Sequence, residues 1–241
     1  MLDETEPPAA APDDRIAWGP REIAQALGIL AAGVLFVSAC LAPVAVALSL
    51  SKAQLNGIST VVSLPFEFAF FGVAVVFSIA KYRLRWSALG FRPLVLDRAW
   101  VIVATVVGAF LLFIVYNLIV ELIDIDALRP SSNVPDGVMN QRALVVVYGI
   151  TAVLAAPIAE ETLFRGFLFP GLAKRLGIFW AALASGLLFS LAHLQPTVII
   201  PIAGIGMLFA LAYVYTRSLW TSIAAHLIFN LFSFVVIVGG W

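Results

Sequence analysis

Long apolar runs separated by short clusters of charge organise this chain. From Ile23 to Ser51 there are 29 residues without a charge, from Ala53 to Ala80 there are 28 interrupted only by Glu67, and from Ala99 to Val120 there are 22. A helix needs about 20 apolar residues to cross a bilayer, so each of these runs predicts one spanning helix. Further along, 17 uncharged residues run from Ala143 to Ala159, 41 from Leu176 to Thr216 containing only His193, and 24 from Ser218 to Trp241 containing only His226. The 41-residue run is long enough to cross twice. Strand-like alternation of a membrane barrel is absent. The pattern therefore predicts an all-α, polytopic transmembrane bundle of about seven helices, or eight if the region around Pro157 folds as two segments, since unpaired backbone excludes other spanning structures from lipid.

Composition agrees. Of 241 residues, 62% are hydrophobic, 14 are basic and 14 acidic, and the mean hydropathy is +1.04; soluble domains carry about 25% charged residues. A net charge of zero with no basic run gives no surface for a polyanion, so nucleic acid is not an expected partner. A single cysteine, Cys40, excludes a disulfide framework and any cysteine-based zinc site.

Residues 1–22 carry six acids, two arginines and four prolines, and read as a disordered acidic tail without the features of a signal peptide. Residues 23–142 then hold the N-terminal spanning helices and their loops, and 143–241 a second, polar-centred set. The segment 81–98 holds five basic residues, which marks it as cytoplasmic. Carried through seven crossings, this puts 11 basic residues inside and 3 outside, with the N-terminus in the cytoplasm. The expected location is the plasma (inner) membrane.

Four charges fall where lipid is expected: Glu67, Glu160, Glu161 and Arg165. Each costs about 2.5–3.5 kcal/mol at a helix centre on insertion scales, which makes such groups functional candidates. Glu161 and Arg165, at i and i+4, share a helix face and can pair. Glu160 lies about 100° away, free to face a cavity as a base. Both histidines also lie in apolar helices, with Phe189 one turn before His193 and Asn230 one turn after His226. A hairpin turning near Arg175 to Gly177 would bring Glu160 and His193 to nearly equal depth. A straight helix from His193 to Arg217 would carry His193 far from His226, so a broken or re-entrant segment is expected near Pro196, Pro201, Gly204 or Gly206. Glu67 has no evident partner and reads as structural. Asn117 and Tyr148 read as interhelical hydrogen bonders.

At these residues the sequence resembles the CPBP family of intramembrane proteases, which includes the type II CAAX prenyl endopeptidases and the abortive-infection-like membrane proteins. Three motifs carry the resemblance: Glu160-Glu161-x-x-x-Arg165, Phe189-x-x-x-His193 and His226-x-x-x-Asn230. It covers roughly residues 143 to 235, and Leu89-Gly90-Phe91-Arg92 is similar to a short element that precedes the family's domain. The resemblance implies Glu160 as the general base that activates water and His193 as the residue that holds that water. It implies His226 and Asn230 as oxyanion donors, with Glu161, Arg165 and Phe189 in support.

The expected function is an intramembrane endopeptidase acting on a membrane-associated protein or peptide in the lipid bilayer. No serine or cysteine accompanies the histidines as a convincing nucleophile, which favours direct attack by water. No metal is favoured, because no H-E-x-x-H helix is present; if zinc binds, its ligands are Glu160, His193 and His226. The alternatives are a proton-coupled transporter, for which paired half-helices would be expected, and a non-catalytic membrane scaffold of the same fold.

Overall fold

Each uncharged run is mostly helix in the computed structural model, which describes residues 16–130, 134 and 137–239. The main helices are α1 (Pro20–Ala47), α2 (Lys52–Val75), α3 (Trp100–Ile123), α4 (Arg142–Gly149), α5 (Ala156–Glu161), α6 (Phe169–Ala192), α7 (Ile199–Thr216) and α8 (Leu219–Gly239). No strand occurs among the described residues. Among the described residues six helical stretches are long and apolar enough to cross a membrane, and large apolar side chains such as Leu35, Phe36 and Leu122 point outward. The protein is an integral, multi-pass membrane protein.

Six stretches stand against the seven to eight expected because α4, α5 and α6 run on as one 51-residue stretch, Arg142–Ala192, joined by π-helical turns at Ile150–Ala155 and Thr162–Leu168. The π-helical turn Ile150–Ala155 carries the chain past Pro157, a residue that has no N–H, and Asn230 Nδ2 donates to the Ala152 carbonyl in that turn; Pro157 does not divide the stretch. Gly177 does, at φ 74° and ψ 170°, a conformation closed to residues with a side chain. Beyond Gly177 the chain folds back, so that Ser185 Oγ donates to the Phe164 carbonyl at 3.0 Å. This is the hairpin expected near Arg175 to Gly177.

α6 ends at Ala192, and Leu194 at φ 53° turns the chain through a short 3-10 segment (Pro196–Val198) into α7. The expected break after His193 is therefore a tight turn, and α7 itself runs uninterrupted past Pro201, Gly204 and Gly206. α6 and α7 pack closely through glycine: a Cβ on Gly186 would stand 2.5 Å from the Ala203 carbonyl oxygen, and one on Gly206 2.9 Å from the Gly186 Cα. Without a hydrophobic force between helices in lipid, such small-residue crossings carry the association.

Residues 16–22, at the end of the expected tail, lead into α1 and contact the core. Trp18 is 1% exposed, donates from Nε1 to the Phe167 carbonyl at 2.8 Å and stacks on the Phe167 ring. Glu22 accepts from Lys81 Nζ at 2.8 Å and from the Tyr82 hydroxyl at 2.9 Å; that hydrogen bond holds the Lys81 ammonium above the ordinary lysine value. Residues 1–15 of the expected tail lie outside the described residues. Asn117 donates to Phe113 of its own helix, because the i−4 carbonyl is the acceptor nearest at hand.

The segment around Leu89–Arg92 holds the turn between α7 and α8. Gly90, at φ 89°, accepts from the Leu219 amide at 2.7 Å, and the Arg92 carbonyl accepts from Ser218 Oγ at 2.7 Å. Arg165, one of the eleven basic residues expected on the cytoplasmic side, is wholly buried in the core, which leaves ten of those eleven to orient the chain.

Candidate active site

α5 and the π-helical turn after it present Glu160, Glu161 and Arg165 from one short stretch. Wide turns of this kind add a residue to the helix and often mark functional sites. Arg165 NH1 donates to Glu161 Oε1 at 2.8 Å, and both side chains are fully buried. Arg165 NH2 donates to the Gly206 carbonyl at 2.8 Å, and the guanidinium lies 4.4 Å from the Phe189 ring centroid and 5.4 Å from that of Phe209. An ion pair in a low-dielectric interior holds only with such supporting contacts.

The same Glu161 oxygen also faces His226 Nδ1 at 3.0 Å. His226 Nε2 points at Glu160 Oε2, 3.7 Å away and beyond hydrogen-bonding distance. The His226 ring, 4% exposed, is stacked on Phe209 and meets the Phe189 ring edge-on. Glu161 therefore serves two partners from two helices, and His226 lies between the two glutamates rather than in open space.

His193 reaches the same place from the end of α6. Helical side chains lean toward the N-terminus, so its ring falls back on Phe189, with centroids 4.9 Å apart. Its Nδ1 lies 2.8 Å from the Phe189 carbonyl, which can only accept. In the neutral ring this leaves the lone pair on Nε2. Phe189 thus touches His193, His226 and Arg165 and spaces the two histidines, which is how they come together despite the length of α7.

Glu160 and His193 line a cavity of about 290 Å³, with Asn230 and Phe229 of α8, Gln195 after α6, Tyr148 and Thr151 before α5, and Glu67 of α2. Asn230 Nδ2 donates one proton to the Ala152 carbonyl at 2.8 Å, and its amide keeps a second proton. Glu67 Oε2, Thr151 Oγ1 and Gln195 Oε1 are buried without a hydrogen-bond partner. Tyr148, expected to bond between helices, lines this cavity and packs its ring on Phe234.

Among the described residues no group of three or more His, Cys, Asp or Glu is arranged to hold a metal ion. In the candidate zinc set Glu160, His193 and His226, His226 rests its Nδ1 on Glu161 and turns its Nε2 toward Glu160. Pattern reading missed Glu67 as a neighbour of Glu160, and Phe209 and Gly206 as partners of His226 and Arg165. The charge of Glu67 in an apolar run was a signal; Phe209 and Gly206 offered none, being ordinary residues of an apolar helix.

Known proteins share this part of the chain. Residues 142–232 match the family model described as type II CAAX prenyl endopeptidase Rce1-like. The chain is also 34% identical over 89 residues to a Bacillus subtilis (strain 168) protein named "Putative membrane peptidase YdiL", an alignment covering 37% of this chain and 36% of that protein. The chain thus matches about a third of that relative's length. No solved structure matches.

Proposed function

Taking residues 142–232 as a stretch of the Rce1-like type, we propose that the protein is an intramembrane endopeptidase that hydrolyses a peptide bond of a membrane-associated protein or peptide with water activated by Glu160. The observation that carries this reading is the cavity wall: Glu160, His193 and Asn230, from three different helical segments, face one space inside the bundle.

Glu160 takes a proton from water, and the hydroxide attacks the carbonyl carbon. His193 Nε2 accepts the water's other hydrogen and fixes its orientation. The free amide proton of Asn230 donates to the oxyanion, an interaction typically worth ~3–4 kcal/mol in a water-poor site. Glu160 then passes its proton to the leaving nitrogen; the C–N bond breaks and gives a carboxylic acid and an amine. We assign His226, expected as an oxyanion donor, to positioning Glu160, because it does not line the cavity and its Nε2 is turned toward Glu160 Oε2. Anchored at Nδ1 by Glu161, the His226 ring turns Nε2 toward Glu160 Oε2, and a shortening of that 3.7 Å approach would let it orient the carboxylate. Arg165 fixes Glu161 in turn. No step requires a metal. We take the N-terminus as cytoplasmic from the basic-residue count, and the plasma (inner) membrane as the location.

The test is cleavage of membrane-embedded peptides by wild type and Glu160→Gln, each with and without a strong chelator. Wild type is expected to cleave equally in both conditions, and the variant not at all while keeping its thermal unfolding profile. Cleavage by Glu160→Gln at the wild-type rate would sink the assignment of the base; loss of wild-type activity with the chelator, restored by zinc, would sink the metal-free mechanism.

A further inference from the structure

The cavity wall carries two carboxyl side chains and no side-chain ammonium or guanidinium. The carboxyls are those of Glu67 and Glu160, and the wall also presents the unpartnered Gln195 Oε1 and the His193 Nε2 lone pair. Arg165, the cation buried nearby, is committed to Glu161 and the Gly206 carbonyl. Thr151, 5% exposed and also in the cavity wall, has a third buried oxygen without a partner beside Glu67 Oε2 and Gln195 Oε1. Buried polar atoms without partners are costly, and most native ones are satisfied by protein, water or ligand.

Glu67 stands where three spaces meet. Besides the polar cavity it lines an apolar groove with Phe68, Phe71, Leu154 and Ile158, and a second groove between α1 and α2 that also reaches Glu160 and His193. A polypeptide moving from the bilayer toward Glu160 along either groove passes the Glu67 carboxyl.

We propose that Glu67 is a specificity-determining residue that takes the side chain of a lysine or arginine flanking the scissile bond of the substrate. The inference rests on the peptidase reading and names the substrate class for it. Glu67 and Glu160 share a cavity of about 290 Å³, and a peptide advances at most about 3.6 Å per residue. A cation held at Glu67 is assigned to a residue near the bond at Glu160, since both carboxyls belong to one small cavity. An ammonium or guanidinium donates several hydrogen bonds and accepts none, which complements this wall. A substrate acid in that position would meet two carboxyls and be rejected.

The experiment uses purified full-length protein and membrane peptides that differ only at the residues flanking the scissile bond: Lys, Arg, Gln or Glu. Wild type is expected to favour Lys or Arg over Gln by about tenfold in kcat/KM, the scale of one charge-assisted hydrogen bond, mainly through KM. Glu67→Gln is expected to bring the Lys peptide down to the rate of the Gln peptide, and Glu67→Asp to retain part of the preference. A wild type indifferent to the flanking charge, or a Glu67→Gln variant slowed equally on every peptide, would overturn the proposal while the peptidase reading stood. A second arm measures fluorescence anisotropy of a labelled Lys peptide on Glu160→Gln and on Glu160→Gln/Glu67→Gln, with thermal unfolding checked for each. Weaker binding by the double variant supports the cation site even if wild type cleaves nothing, in which case the peptidase reading alone falls; equal binding overturns the site.

Discussion

Arg165 has its charge balanced by one carboxylate, one hydrogen donated to the Gly206 carbonyl and a face pressed on Phe189, with no surface exposed. A planar guanidinium can serve all three at once; a lysine ammonium cannot. Removing one partner of a buried pair leaves the other uncompensated and costs about 3–5 kcal/mol. Arg165→Met is therefore expected to lower the thermal midpoint of the detergent-solubilised protein and, by freeing Glu161 and then His226, to reduce cleavage. Arg165→Met/Glu161→Gln should recover part of that stability, because the stranded charge is gone. Unfolding of the two single variants and the double variant as a thermodynamic cycle measures this; strict additivity would show that the pair is not coupled.

At the scale of elements, two bends bring the site together. The bend at Gly177 returns α6 against the Glu160 segment, and the bend at Leu194 sends α7 back so that Phe209 reaches His226. Gly177 has φ 74° and ψ 170°, and a Cβ there meets nothing within 4 Å, so strain alone opposes a side chain. Gly177→Ala is expected to cost about 1–3 kcal/mol of stability, with cleavage intact below the lowered melting temperature. A melting temperature equal to that of wild type would mean that the bend relaxes freely.

Across the whole molecule, the first helix is fastened at one end. Its candidate spanning stretch is only 6% buried, and its contacts with the core gather at Trp18, Ile23, Ala26 and Leu30. Trp18 bonds to a carbonyl 149 residues away, in the turn that follows Glu160 and Glu161. Burying an aromatic ring of this size contributes about 3–5 kcal/mol when truncation to alanine is the measure. Trp18→Ala is expected to lose an amount of that order in chemical or thermal unfolding. No loss would place the anchor of α1 elsewhere.

The sequence alone was enough for the helical, many-times-crossing architecture, because charge is costly in lipid and its spacing marks where helices leave it. It was enough, too, for the Glu161–Arg165 pairing and the freedom of Glu160, which follow from the angle per residue of one helix. The bend near Gly177 was legible, and so was the need for a break after His193, but of the four residues expected to carry it Pro201, Gly204 and Gly206 lie within an unbroken α7. What neighbours from other helices do to each group was not legible. Glu161 accepts from His226 as well as Arg165, His226 stands behind Glu160, and Glu67 shares the cavity. Local periodicity fixes which face a residue occupies, but the partner facing it is set by how helices cross, and here the tertiary structure decided that through glycine contacts such as Gly186 with Ala203.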